Sequence, residues 1–208
     1  MPKSELPIET PPPTRHRGFE RLISISAIVF CGLFFVCAGC CFLTFILFRP
    51  QAVDTTEGAD AAASMITDWK IPETFEGKSG VTMDNMLMRI DIARFAHREG
   101  RGILIVGQLH SKLMPYVQQQ SQLQDFMEKI APELKMIDLN DHATSTLVIR
   151  GVPSQFETGL GEDRASTSKY RQVTGHFRGK LDNAVLILQC EEGFITEQEI
   201  DDFLNSIK

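Results

Sequence analysis

Apolar positions divide this chain into one long unbroken stretch and several short periodic ones. From Leu22 to Phe48 there are 27 residues without a charge. A spanning helix needs roughly 20 apolar residues to cross about 30 Å of hydrocarbon, and a longer run crosses with some tilt. The stretch therefore predicts a transmembrane helix over residues 22–48. Its all-round apolarity, with Phe34, Phe35, Phe42, Phe45 and Phe48, argues against a core helix, which keeps a polar side. Residues 1–21 carry Pro2, Pro7, Pro11, Pro12 and Pro13 and no apolar period, so a disordered tail is expected there. Residues 49–67 combine Pro50, Gly58, several acids and Ala61-Ala62-Ala63, which reads as a linker, helical at its end. Residues 68–208 then have the size of one domain with one core.

Within that domain the periods change along the chain. Thr196 and Glu199 have capping-box spacing, Ile195 and Ile200 stand at staple positions, and Ile200, Phe203, Leu204 and Ile207 share one face, predicting a closing amphipathic helix. Before it, Val173, Gly175, Phe177, Gly179 and Leu181 alternate with Thr174, His176, Arg178 and Lys180. Asp182-Asn183 then interrupts and Ala184 to Leu188 run apolar, which predicts a β-hairpin turning at Asp182-Asn183. Further strands are expected at Leu147 to Ile149 and Ile103 to Val106. Between them Val117, Leu123, Phe126, Met127 and Ile130 recur at helical spacing, with Pro115 to open the helix and Pro132 to end it. The glutamines at 118, 119, 120, 122 and 124 would face solvent. Met86, Met88, Ile90 and Ile92 alternate as a strand does, although Met83, Met86, Leu87 and Ile90 also suit a helix; the strand is the preferred reading.

Strands, helix, strands, helix with antiparallel neighbours predict an α+β fold: one N-terminal transmembrane helix, then a single domain with an antiparallel sheet covered on one face by two helices. The Pro72 to Phe75 entry, the Gly102-Ile103-Leu104-Ile105-Val106 strand, and the Ala184 to Leu188 strand with its closing helix through Phe203-Leu204-Asn205-Ser206-Ile207 resemble the PsbP-like fold, as in uncharacterised bacterial single-pass membrane-anchored proteins. The resemblance spans residues 68–208 and rests on element order and apolar texture. It implies a fold and carries almost nothing about function.

Charge adds a direction. Lys3, Arg15, Arg17 and Arg21 precede the apolar run and only Arg49 follows it closely, which predicts a cytoplasmic amino terminus and an extracytoplasmic carboxy-terminal domain. A cleaved signal fits less well, because its apolar region is about 7 to 15 residues. Cys37-Ala38-Gly39-Cys40 only faintly resembles a lipoprotein cleavage box. After the apolar run the chain holds 17 basic against 24 acidic residues, with no basic stripe, so nucleic acid is not an expected partner. Of five cysteines, Cys31, Cys37, Cys40 and Cys41 lie in the apolar run and Cys190 stands alone, leaving no disulfide within the domain.

Candidate chemistry is sparse. Asp138, Asn140, Asp141 and His142 begin like a calcium loop, but Ala143 and Ile149 stand where an EF-hand needs Gly and Glu, so an exposed turn is expected. His97, His110, His142 and His176 lack the close spacing of a zinc site. Glu191-Glu192 and Asp201-Asp202 read as solvated pairs, and Gly159-Leu160-Gly161 as part of a surface loop over 154–169. No catalytic, cofactor-binding or metal residue is assigned. The expectation is a membrane-anchored, non-catalytic binding or assembly domain that meets a protein partner at the membrane surface through its exposed sheet face or the 154–169 loop. The alternative is a tethered hydrolase or other enzyme using His110, His142 or His176 with an acid, a reading that gains if two of those histidines, or one with Asp141 or Glu157, meet in a concave pocket.

Overall fold

The computed structural model describes residues 34, 36–39 and 51–208. The chain divides into two units, Met1–Leu47 and Phe48–Lys208. Of the first, Phe34 and residues 36–39 are described and are helical. In the second, the order is β1 (Gln51–Val53), α1 (Thr56–Ile66), β2 (Phe75–Asp84), β3 (Met88–His97), β4 (Gly102–Ser111), α2 (Tyr116–Ile130), β5 (Ile137–Ile149), β6 (Val152–Asp163), β7 (Lys169–Arg178), β8 (Asn183–Glu191) and α3 (Glu197–Asn205). The strands form one sheet in the order β1-β2-β3-β4-β8-β7-β6-β5, antiparallel throughout. Two meanders, β1 to β4 and β5 to β8, thus join along β4 and β8.

Alternation on those two central strands explains the packing, since successive side chains leave opposite faces of a strand. Leu104 and Val106 with Ala184, Leu186, Leu188 and Cys190 build a core with α1 and α3. Ile103, Ile105, Leu109, Val185 and Ile187 build a second core with Leu123, Met127 and Ala131, in α2 and just after it. Trp69 fixes α3 to the first core, its ring lying 6.1 Å from Phe95 and 5.3 Å from Phe203.

The expected fold class is corrected by this arrangement. One eight-stranded antiparallel sheet dominates, and its helices lie on both faces rather than one. The membrane and transmembrane reading is corrected as well, because no helix among the described residues is long and apolar enough to cross a membrane. The longest helix of the second unit, α2, has 15 residues, about 22 Å at 1.5 Å per residue, and carries a glutamine-rich face. The expected span over 22–48 lies outside the described residues except for Phe34 and residues 36–39.

Other differences have local causes. Residues 49–67, expected as a linker with a helical end, instead form β1 and the longer helix α1 over 51–66, and Ala59, Ala62, Ala63 and Ile66 are buried in the core. Small residues let α1 sit almost on the sheet: a Cβ at Gly80 of β2 would stand 2.0 Å from the Gly58 carbonyl oxygen. The 154–169 loop is mostly strand β6, paired with β5 on one side and β7 on the other. Its Gly161 passes the β5 backbone where a Cβ would meet the Asp138 carbonyl oxygen at 2.3 Å, so a residue that suggests a loop serves close strand approach. Asp138 to His142 are likewise strand rather than turn, with a register shift between Leu139 and Asp141.

Candidate functional site

Helix α2 places Leu123 and Met127 against the sheet, as its spacing predicts, while Val117 is exposed. Gln119 is buried rather than solvated; its Nε2 donates to the carbonyls of Ser111 and Met114 at 3.1 and 2.8 Å and ties the helix start to the end of β4. The helix packs chiefly on β4 and β8. On its far side the same sheet face continues over β7 and β6 as a polar surface, where Gln155 pairs with His176 and Glu157 with Thr174. Paired residues share a face, so these four side chains form one patch beside Gln120 and Gln124 of α2.

Between helix and patch lies a cavity of about 680 Å³, reached by Gln120, Gln124, Ser154, Gln155, Glu157, Thr174, His176, Arg178, Asp182 and Asn183. A second cavity of about 370 Å³ shares Gln124 and Thr174 and extends toward Lys135, Arg164, Gln172 and Gln189. The two make one trough along α2, lined by polar and apolar side chains alike, among the latter Val152, Phe177 and Ile187. Ligand pockets commonly fall in the range of 300 to 1,000 Å³ and carry a few convergent polar groups.

The two ends of the β8 row facing this trough differ. Gln189 is buried and fully engaged: its Oε1 accepts from Lys135 N at 2.7 Å, and its Nε2 donates to Lys135 O at 3.0 Å and Gln172 Oε1 at 3.1 Å. Asn183, six residues earlier on the same face, is 1% exposed, and neither Oδ1 nor Nδ2 has a partner. A buried polar group left unpaired costs about 1–3 kcal/mol. His176 Nδ1 is likewise buried without a partner. Burial pushes the His176 imidazole below its ordinary value of 6.5, while Glu157 pulls it upward. At neutral pH the ring is thus uncharged and offers one donor and one acceptor.

Asn183 was expected in a turn. The turn instead spans Gly179 to Asp182, closed by Gly179 N donating to Asp182 O at 2.7 Å, and Asn183 opens β8. The sequence signal for its role is the period-two row Asn183, Val185, Ile187, Gln189, apolar in the middle and amide at both ends.

The other candidates lie apart from this cluster. His110 sits at the rim, its Nδ1 3.2 Å from Asp182 Oδ2. His97 is a core residue between the Phe75 and Phe194 rings, and His142 is exposed on β5. Asp138 receives Arg164 Nε at 3.0 Å, and Asp141 stands beyond the register shift. Glu191 pairs with Arg101 at 2.9 Å, while Glu192, Asp201 and Asp202 are exposed. Among the described residues no group of three or more His, Cys, Asp or Glu is placed to hold a metal ion. Burial raises the Cys190 thiol to about 12. Of the pairings foreseen as a test of catalysis, that of a histidine with Glu157 is met in that His176 and Glu157 line the same cavity.

Comparison with known proteins adds little to this geometry. No family model matches the chain, and no curated protein matches it. Among solved structures, the crystal structure of LpqN involved in cell envelope biogenesis of Mycobacterium tuberculosis is similar at 12% sequence identity, over 76% of this chain and 79% of that chain, with a TM-score of 0.26. A likeness at that TM-score carries no argument for fold or function.

Proposed function

We propose that residues 51–208 form a non-catalytic binding or assembly domain whose working surface is the trough between α2 and the β6–β7 face. The observation that supports this reading is the set of unspent polar groups there, Asn183 and His176, beside a sheet face that α2 leaves open. Stability alone favours pairing such groups or replacing them by apolar ones, so their retention points to an occupant that pairs them. A photo-crosslinking residue at exposed Gln155, compared with one at exposed Lys78 on β2, tests it in cells expressing the full-length protein. Specific adducts are expected from position 155 and not from 78. Equal capture from both, or capture from 78 alone, contradicts the reading.

A hydrolase is the second reading, favoured by the shared cavity of His176 and Glu157. Under it, His176→Ala abolishes turnover of a bound compound while leaving its binding intact. Under the binding reading there is no turnover to lose, and the substitution weakens binding.

A further inference from the structure

We infer that the larger cavity, resting on the binding reading above, takes an uncharged, hydroxyl-rich ligand of the carbohydrate class, held by Asn183, His176 and Glu157. The donors and acceptors decide the class. Asn183 presents an unpaired amide from a buried position, offering both a donor and an acceptor. Neutral His176 offers one of each, and the Glu157 and Asp182 carboxylates accept only. Hydroxyl groups donate and accept at the same atom, so adjacent hydroxyls satisfy all of these at once. An anion meets two carboxylates against the single guanidinium of Arg178, which disfavours it. An apolar ligand strands the Asn183 amide. A peptide that binds by adding a strand uses backbone groups of a sheet edge, and here β6, β7 and β8 are already paired on both sides.

The test is calorimetric titration of the full-length protein with glucose, N-acetylglucosamine, maltose and cellobiose, and with phosphate and tetraalanine as controls. At least one sugar is expected to bind saturably with neither control binding. Asn183→Leu, which replaces an unpaired amide by an apolar group of similar size, is expected to weaken sugar binding at least tenfold while melting no lower than the native protein. Glu157→Gln, at an exposed position, is expected to weaken binding without changing the melt. Failure of every sugar to bind, tighter binding of phosphate or tetraalanine, or undiminished binding by Asn183→Leu overturns the inference. Crosslinking from position 155 reads the parent proposal separately. Adducts without sugar binding sink the ligand class alone, and loss of both sinks both.

Discussion

Individual side chains in this domain divide into those whose bonding is complete and those left open. Cys190 is complete in its own way: buried on β8 and raised to about 12, it lacks the thiolate that reacts with alkylating agents. Peptide-resolved mass spectrometry after brief alkylation is expected to find Cys190 unmodified in the native protein and modified in denaturant; native labelling would mean that this face of β8 opens. Three aspartates are each held down by their own partners. Lys180 bonded to Asp68, Arg164 bonded to Asp138, and the Ala165 amide with the Ser166 hydroxyl on Asp163 hold these carboxyls below the ordinary 3.8. With the folded value the lower one, the unfolded chain binds protons first. The stability contributed is therefore present above 3.8 and lost as pH falls through the lowered values. Denaturant midpoints followed from neutral pH downward should drop in that acid window, and Asp163→Asn should flatten the drop. A profile unchanged by that substitution contradicts the role given to Asp163.

At the level of elements, each helix is held by a different device. Helix α1 lies on glycines, and Gly80→Ala drives a Cβ into the Gly58 carbonyl. Overpacking of this kind costs about 1–3 kcal/mol, readable as a lower chemical-denaturation midpoint. Helix α2 is held by Leu123 and Met127 on one apolar side; Leu123→Ala should cost about 2–5 kcal/mol and loosen the trough wall, so that denaturation and crosslinking from position 155 change together. Helix α3 carries the capping box of Thr196 and Glu199, which the three-residue spacing in its sequence spelled out. The central strands were also legible, because Ile103 to Val106 and Ala184 to Leu188 are apolar on both faces. Strands β2 and β6 were not, and of β5 only its end at Leu147 to Ile149 was. Phe75 to Asp84 holds two glycines, required by the close packing of α1 on β2, and β5 and β6 are rich in Ser, Thr, Gly and Asp that serve turns elsewhere. Their strand state comes from pairing, a long-range condition that local pattern does not record.

For the whole molecule, the site arises from unequal coverage. One face of the sheet carries two helices, while the other carries α2 over β4 and β8 and leaves β6 and β7 open. The meeting of Glu157 with His176 follows from the β6–β7 register, and the exposure of both to Asn183 follows from β8 lying next to β7. No residue spacing in the chain announces this, so the candidate site was visible beforehand only as separate polar residues. The trough as working surface is tested most directly by filling it. Thr174 lies where the two cavities meet, on the open face and partly exposed. In full-length Thr174→Trp protein that melts as the native protein does, crosslinking from position 155 is predicted to disappear. Undiminished crosslinking with the trough filled would place the binding surface elsewhere.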